Sequence, residues 1–377
     1  MQLSYWEQTT FFENIDVVVV GSGIVGLTTA IELKTKSPKL KVVVLERGSL
    51  PSGASTKNAG FACFGSVSEL TNDLEQLGLD NLLNLVEMRW KGLQRLRQRI
   101  GDKALGFKAF GGYELFLKND EFEKYADKIS FFNQHLKSII GTDNIFNISN
   151  DKIKTFGFQG VNQLIFNKAE GQIHTGQMMK ALLRIANEKG VDIINGITVK
   201  EIHEEKQQVI IETMNNWRLS TKKVVVAVNG FAQRLFPELK VTPARNQVLI
   251  TKPIKDLPFQ GTFHYDSGYY YFRNIGNRIL FGGGRNLALE AETTDEFGNT
   301  KLIQGELSKI LAEIILPNTD YEIDQWWSGI LGTGNTKEPI VKMYSDRIGI
   351  AVRLGGMGIA IGSLIGEQAA EMILKVE

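Results

Sequence analysis

Residues 17–26 read Val-Val-Val-Val-Gly-Ser-Gly-Ile-Val-Gly, and residues 42–46 read Val-Val-Val-Leu-Glu. Four successive valines predict a buried strand, which runs directly into the motif Gly21-x-Gly23-x-x-Gly26. A helical pattern follows, and a second apolar strand ends at Glu46, twenty residues after Gly26. A glycine-rich turn between strand and helix, with an acidic residue at this distance, indicates a βαβ unit that binds a dinucleotide.

Each glycine of the motif has a physical role in such a unit. Gly21 permits the tight turn out of the strand, Gly23 lets the backbone approach a pyrophosphate, and Gly26 lets the helix pack closely on the sheet. The helix N-terminus offers free N–H groups and a positive dipole end to the phosphates. Glu46, at the end of the second strand, would accept hydrogen bonds from both hydroxyls of an adenosine ribose. Further cofactor contacts are predicted at the helix start, at Ile24 and Val25, and after the second strand, at Arg47.

Composition limits the classes of protein that fit. The 377 residues favour two domains, and 43 basic against 42 acidic residues give no charge excess that would favour nucleic acid or a membrane surface. Cys63 is the one cysteine, so no disulfide forms within the chain, which fits a reducing compartment. No apolar run has transmembrane length, and the first residues lack the pattern of a signal peptide. We therefore expect a soluble cytoplasmic protein.

The strand–turn–helix pattern recurs near the other end of the chain, with a strand over 348–353 and a helix over about 359–374. This recurrence predicts a parallel sheet assembled from separate segments, with a more antiparallel domain formed by the segments between them. The dinucleotide-binding domain is predicted over 1–100, 150–235 and 325–377, and the substrate domain over 101–149 and 236–324. Continuous helix is expected over 67–100, a small-residue loop over 51–66, and strands over 269–282.

Further motifs occur in a specific order along nearly the whole chain. After the first turn come Gly53-Ala-Ser-Thr-Lys-Asn-Ala-Gly60, Gly171-x-x-x-x-Gly176, Val224-Val-Val-Ala-Val-Asn-Gly230 with Pro243-Ala-Arg-Asn-Gln247, Gly282-Gly-Gly284, and Trp327-x-Gly329 with Gly355-Gly-Met-Gly358. In these the chain resembles the D-amino-acid oxidase/glycine oxidase-like superfamily of FAD-dependent amine oxidoreductases. Ala227–Phe231 with Leu235-x-Pro237 is most similar to γ-glutamylputrescine oxidase-like members.

The resemblance implies an α/β fold, in which an α+β substrate domain with an antiparallel sheet is inserted into a Rossmann-like FAD-binding domain. It also implies non-covalent FAD, because the cysteine that holds flavin covalently in some relatives lies near the C-terminal part, where this chain has none. The cofactor contacts that it adds lie in the small-residue loop, on one strand and in two turns: Ser55, Lys57, Asn58, Ala59, Val199, Asn229, Gly230, Gly355, Gly356, Met357 and Gly358.

Flavin-dependent amine oxidation passes a hydride from the carbon next to nitrogen to flavin N5, and the resulting imine hydrolyses. Such a reaction needs orientation of the substrate rather than a side-chain acid or base. Strand alternation places Tyr269 and Tyr271 on one face, which the resemblance puts over the flavin. Amino-acid-oxidising relatives have a carboxylate-binding arginine where this chain has Leu331, so Arg353, next to the flavin turn, is the predicted replacement.

Several alternatives stay open at this point. The substrate is an amino acid or an amine without an α-carboxylate, and the electron acceptor is O2 or a quinone. A nicotinamide-only dehydrogenase, a flavoprotein that modifies a tRNA base side chain, and a non-catalytic flavin-binding protein are the competing classes. The four histidines show no ligand spacing, so no metal is expected. The sequence leaves the oligomeric state undetermined.

Overall fold

The structure is a computed structural model that describes residues 3–375. In chain order the strands are β1 Ile15–Val20, β2 Val42–Glu46, β3 Phe61–Ala62, β4 Gly112–Phe116, β5 Phe146–Ile148, β6 Gln163–Asn167, β7 Gly171–Gln172, β8 Asp192–Asn195, β9 Val199–Glu205, β10 Gln208–Thr213, β11 Arg218–Val226, β12 Thr242–Thr251, β13 Thr262–Tyr265, β14 Tyr270–Ile275, β15 Arg278–Gly283, β16 Ile323–Thr333, β17 Ile340–Met343 and β18 Ile348–Val352. The α-helices are α1 Tyr5–Glu7, α2 Ile24–Lys36, α3 Ala54–Lys57, α4 Val67–Leu77, α5 Leu79–Ile100, α6 Asp102–Leu105, α7 Asn119–Ile140, α8 Asp151–Phe156, α9 Thr175–Glu188, α10 Lys301–Ile310 and α11 Gly358–Lys375.

The first sheet has the strand order β17-β18-β11-β1-β2-β8, and β10 and β9 extend it from β11. The five strands from β18 to β8 run parallel, and β1, near the start of the chain, pairs with β11, which follows roughly 200 residues later. Both faces of β1 are covered, which explains its unbroken run of valines. This is the Rossmann-like arrangement that the first βαβ unit predicts.

Helices α2 and α11 cover one face of this sheet, α5 packs on α11, and glycines let the three helices approach closely. A Cβ on Gly92 of α5 would overlap the carbonyl oxygen of Ala360 in α11. A Cβ on Gly366 of α11 would lie 2.5 Å from the Thr28 side chain in α2. The C-terminal helix is therefore fixed between the other two by contacts that leave no room for side chains.

The second sheet has the order β16-β12-β15-β14-β13-β4-β6-β5 and is antiparallel except for the parallel pair β13–β4. One face carries a cluster of phenylalanines, in which the rings of Phe263 and Phe272 stack 4.6 Å apart, and α10 packs against this face. The other face points toward the first sheet and carries Tyr271, which therefore lies between the two sheets.

The structure differs from the sequence expectations in three places. Strands β6 and β16 belong to the second sheet, so the sheets do not follow the boundaries predicted at residues 150 and 325. The helix expected over 67–100 is interrupted at Gly78, whose φ of 76° is outside the helical range. The loop expected over 51–66 contains the short helix α3 and strand β3.

Among residues 3–375, no helix is both long and apolar enough to cross a membrane.

Candidate active site

A cleft opens at the carboxyl ends of β1 and β2, where the glycine motif lies. Gly21 has a φ of 102°, and a Cβ on Gly26 would overlap the Gly21 carbonyl oxygen, so the turn requires both glycines. Helix α2 starts without a side-chain cap of its own, and its first amide, on Ile24, donates to Ser55 Oγ over 3.0 Å. Gly23, Ile24 and Val25 line the cleft, so the N-terminus of α2 and the positive end of its dipole face it, as in a diphosphate site.

Glu46 ends β2 as a buried carboxylate with four hydrogen bonds. Oε2 accepts from Ser22 N at 3.1 Å and Ser22 Oγ at 2.7 Å, and Oε1 accepts from Gly48 N at 3.0 Å and Ser52 Oγ at 3.2 Å. The two amides hold the carboxylate in place. The two hydroxyls are donors that the hydroxyls of a ribose can replace.

The cleft collects most of the predicted cofactor contacts. Its lining includes Gly21, Gly23, Ile24, Val25, Glu46, Arg47, Ser55, Asn58, Val199, Asn229, Gly356 and Gly358. Gly26 and Gly230 lie behind this lining, since a Cβ on Gly230 would overlap the Leu331 carbonyl oxygen. These two glycines act through close packing rather than by contact with a ligand.

Arg47 closes one side of the cleft through an aromatic contact that the sequence does not reveal. Its guanidinium lies 3.8 Å from the centre of the Phe231 ring and 5.8 Å from that of Phe297. Phe297 comes from the segment between β15 and α10, so this stack joins the two parts of the chain beside the cofactor cleft.

Asn229 holds the turn that connects β18 to α11. Its Oδ1 accepts hydrogen bonds from the amides of Arg353 at 3.1 Å and Leu354 at 3.2 Å, where β18 ends. Gly355 and Gly356 then have φ values of 58° and 84°, and α11 begins at Gly358. The backbone thus turns sharply and directs a helix N-terminus toward the cleft.

A second cavity, of about 250 Å³, continues from the cleft toward the second sheet. The two share the lining residues Ala54, Asn58, Leu331, Gly356 and Ile359. Lys57, Ala59, Gly355 and Met357, which were predicted as cofactor contacts, line this second cavity. Trp327 Nε1 donates to the Lys57 carbonyl oxygen at 2.9 Å and holds the end of α3 in position.

The two predicted tyrosines have different positions. Tyr271 lines the second cavity, and burial raises the pKa of its hydroxyl to about 12, although a hydrogen bond with Asn246 acts in the opposite direction. Tyr269 precedes β14 and is 41% exposed, and it is not part of either lining. Of the pair, Tyr271 is the residue that can contact a substrate.

Arg353 does not point into either cavity, contrary to the expectation that it binds a substrate carboxylate. It has a φ of 65°, and its guanidinium donates to the carbonyl oxygens of Glu338 at 2.9 Å and Lys240 at 3.1 Å, and to Thr336 Oγ1 at 3.0 Å. The left-handed backbone turns this side chain away from the turn that it precedes. Arg353 therefore fastens the loop before β17.

His264 forms a buried ion pair at the wall of the second cavity. Its Nε2 lies 2.6 Å from Glu170 Oε1, and its Nδ1 lies 3.8 Å from Glu69 Oε2. Burial alone would lower the pKa of His264, but Glu170, Glu69 and Glu114 raise it to about 9. From the sequence the histidines were considered only as possible metal ligands, and the position of His264 in the cavity lining was not predicted. His264 lies on β13 directly opposite Tyr271 on β14. The register of this hairpin would therefore have indicated that both side chains face the cavity.

Cys63 lies next to this pair. Its sulfur, the Glu170 carboxylate and the His264 ring are all within 4.8 Å of one another. Burial raises the pKa of the Cys63 thiol well above its ordinary value, and the neighbouring carboxylates act in the same direction. A metal ion would have to displace the protons of both His264 and the Cys63 thiol in order to bind here. The expectation that no metal is needed stays a prediction.

Four charged residues near the second cavity were not predicted. Glu69, Arg89 and Lys337 line it, and Asp73 pairs with the two cations from behind. Glu69 is held by a capping box with Ser66 at the start of α4, and that Ser66-x-x-Glu69 spacing is visible in the sequence. The positions of Arg89 and Lys337 depend on long-range packing, which local patterns do not encode.

A family model, curated relatives and solved structures all resemble this protein over nearly its whole length. The family model described as FAD dependent oxidoreductase, DAO, matches residues 16–372. The probable oxidoreductase OrdL of Haemophilus influenzae is 23% identical, over 97% of this chain and 84% of its own length. The γ-glutamylputrescine oxidoreductase of Escherichia coli K12 is 23% identical, over 95% of this chain and 83% of its own length. The crystal structure of glycine oxidase from Geobacillus kaustophilus has a TM-score of 0.75 at 21% identity and covers 96% of this chain and 95% of its own.

The residues of the cleft fit FAD. A Cβ on Gly23 would lie 3.0 Å from Ser55 Oγ, so the glycine keeps open the space beside the start of α2. Glu46 lines the cleft and would accept hydrogen bonds from ribose hydroxyls, and Gly356 and Gly358 of the turn before α11 line it as well. With the family model matching nearly the whole chain, the protein belongs to the DAO family of FAD-dependent oxidoreductases.

Proposed function

We propose that this enzyme oxidises the C–N bond of an amino acid or a related amine. The observation that carries the proposal is the second cavity, which shares five lining residues with the cofactor cleft. A molecule in this cavity lies against the Gly355–Gly356–Met357 turn, where the resemblance to the family puts the flavin ring. The glycine oxidase and the γ-glutamylputrescine oxidoreductase that resemble this chain have names that refer to amine-containing substrates.

Two side chains of the cavity suit a substrate nitrogen. Asn246 lines the cavity, and its Oδ1 is buried without a hydrogen-bond partner within the described residues, so a rotation of the amide would offer this acceptor to an N–H group of a substrate. The Tyr271 hydroxyl stays protonated because its pKa is about 12, and it can donate to the substrate or accept from it. Both groups are fixed on neighbouring parts of the second sheet, β12 and β14, and can therefore orient the C–H bond.

Bound FAD would supply a hydride acceptor for the carbon next to a neutral amine nitrogen, and the imine product would hydrolyse in water to a carbonyl compound and ammonia or an amine. The protein excludes water from this step. Phe61 packs edge-on against both His264 and Tyr271, with ring centres 5.2 and 5.8 Å apart, and closes part of the cavity wall. Leu331 contributes apolar surface where the cavity meets the cleft.

Anaerobic mixing of the flavin-loaded enzyme with panels of amino acids, N-substituted amino acids and amines tests the proposal. Bleaching of the flavin by one class of compound, with formation of the matching carbonyl product, is the expected result. Rapid reoxidation by O2 then identifies an oxidase, and reoxidation by a quinone alone identifies a dehydrogenase. A flavin that no amine or amino acid reduces would contradict the proposed function.

Tyr271 and Tyr269 provide a matched pair of variants. Tyr271→Phe removes the hydroxyl in the cavity and should lower the rate constant of flavin reduction roughly 10-fold, which corresponds to the loss of one hydrogen bond. Tyr269→Phe removes an exposed hydroxyl outside the cavity and should leave that rate unchanged. Equal effects in the two variants would exclude the orienting role of Tyr271.

A further inference from the structure

Three charged side chains, those of Arg89, Asp73 and Lys337, form linked ion pairs at one side of the second cavity. Asp73 is fully buried on α4, and its carboxylate pairs with Lys337 Nζ and, over 3.5 Å, with Arg89 Nη1. Arg89 is fixed on α5, because Nη1 also donates to the Phe64 carbonyl oxygen at 2.8 Å. Lys337 differs from the other two, since it lies on the loop between β16 and β17 and its side chain is 44% exposed.

Arg89 and Asp73 each have polar atoms without a hydrogen-bond partner among the described residues. Arg89 is 3% exposed and lines the cavity, and its Nε has no hydrogen-bond partner within residues 3–375. Both carboxylate oxygens of Asp73 are buried and meet only the two ion-pair contacts among those residues. Arg89 lines the cavity, so its guanidinium offers a charged donor group to a polar ligand there, although the buried Nε itself faces no open space.

Glu69 limits the kind of ligand. It lies four residues before Asp73 on α4 and also lines the cavity. Burial alone would raise the pKa of Glu69, but His264, the Ser66 amide, Arg89 and Lys337 keep it below its ordinary value, so Glu69 is ionised. This side of the cavity thus has two cationic and two anionic side chains. Such a mixture of charges suits a molecule that carries both a carboxylate and a basic nitrogen better than it suits a simple anion.

We propose that Lys337 is an exchangeable cation that leaves Asp73 to bind the carboxylate of a molecule in the second cavity, beside the fixed Arg89. The inference rests on the proposed function, and it adds the residue that determines specificity for carboxylate-bearing substrates. Arg353 holds the backbone of this loop, but the Lys337 side chain is partly exposed and can change its partner, whereas Asp73 and Arg89 are buried on helices. Asp73 is then the resting partner of Lys337 and competes with the substrate for it.

Titration of the flavin-loaded enzyme with propionate, followed by the difference absorption spectrum of the flavin, tests this assignment without turnover. Propionamide is the neutral probe of the same shape. Lys337→Met should raise the propionate Kd roughly 10- to 100-fold and leave the propionamide Kd within about twofold, because one charge-assisted hydrogen bond is lost. Lys337→Arg should retain most of the affinity for propionate. Lys342→Met, on exposed β17, is the matched control and should change neither Kd.

Asp73→Asn separates exchange from a fixed structural bridge. If Asp73 competes for Lys337, this variant should bind propionate more tightly than the wild type, opposite in direction to Lys337→Met. The proposal would be overturned if Lys337→Met changed the propionate Kd by less than twofold. It would also be overturned if Lys337→Met and Asp73→Asn both raised this Kd to the same extent. Since Lys337 is exposed, the Lys337 variants decide the matter even where Asp73→Asn does not fold. These titrations need only bound flavin, so their outcome is independent of whether any amine reduces it.

Discussion

Replacement of His264 by Gln should remove most of the pH dependence of stability at slightly alkaline pH. His264 is buried against Glu170, and neighbouring carboxylates raise its pKa from an ordinary value of 6.5 to about 9. A group whose pKa is raised by folding stabilises the native state most below its unfolded pKa, and this contribution is lost as the pH rises through the folded pKa. The window for His264 therefore extends from about pH 6.5 to about pH 9.

The size of the effect follows from the same two values. At about 1.4 kcal/mol per pH unit, a rise from 6.5 to about 9 corresponds to about 3 kcal/mol of unfolding free energy, as an order of magnitude. That is a large fraction of the roughly 5–15 kcal/mol by which proteins are stable. The wild type should thus lose about this amount between pH 6 and pH 10 through His264, whereas His264→Gln should not.

Urea unfolding of flavin-loaded wild type and His264→Gln across this pH range measures the difference between the two free energies of unfolding. His203→Gln is the control, because His203 lies on β9 at the protein surface and pairs with Glu205. The curve for His203→Gln should run parallel to that of the wild type. A difference between wild type and His264→Gln that stays constant from pH 6 to pH 10 would refute the reasoning.

Three further predictions concern the cofactor, the metal and the loop before β17. The purified protein should release intact FAD on denaturation, and Gly23→Val should abolish FAD binding because a side chain there meets Ser55 Oγ; unchanged flavin content in this variant would remove the basis of the site. Chelators should leave flavin reduction unchanged, and activity that is lost to a chelator and restored by one metal would contradict the interpretation of His264 as an ion-pair partner of Glu170. Arg353→Met should lower the melting temperature by a few degrees through lost contacts with Glu338, and should not distinguish carboxylate from neutral ligands in the propionate titration.

The cofactor half of the site could be predicted from the sequence because local geometry determines it. Gly21, Gly23 and Gly26 hold a turn whose shape depends on a few backbone angles, and Glu46 follows at the end of the next strand. Such features need only the order of neighbouring elements. The structure brings nearly all of these residues to one cleft.

The substrate half depended on contacts between distant segments and was harder to predict. Strand alternation grouped Tyr269 with Tyr271, but β14 begins only at residue 270, so Tyr269 lies outside the strand. The prediction for Arg353 assumed an extended backbone, whereas its φ is positive. Lys337 and Arg89 meet at Asp73 from segments about 250 residues apart, a relation that neither periodicity nor spacing indicates.

The close crossing of α11 with α2 and α5 has a consequence for synthesis on the ribosome. Strand β1 and helix α2 are made within the first forty residues, but α11, which packs on α2, and β18, which pairs with β11 beside β1, come from residues 348–375. Until those residues emerge, the valines of the first sheet and the glycine faces of α2 and α5 lack a covering layer. Nascent chains that stall before residue 348 should therefore bind chaperones and remain sensitive to protease, and FAD should enter only after α11 has docked.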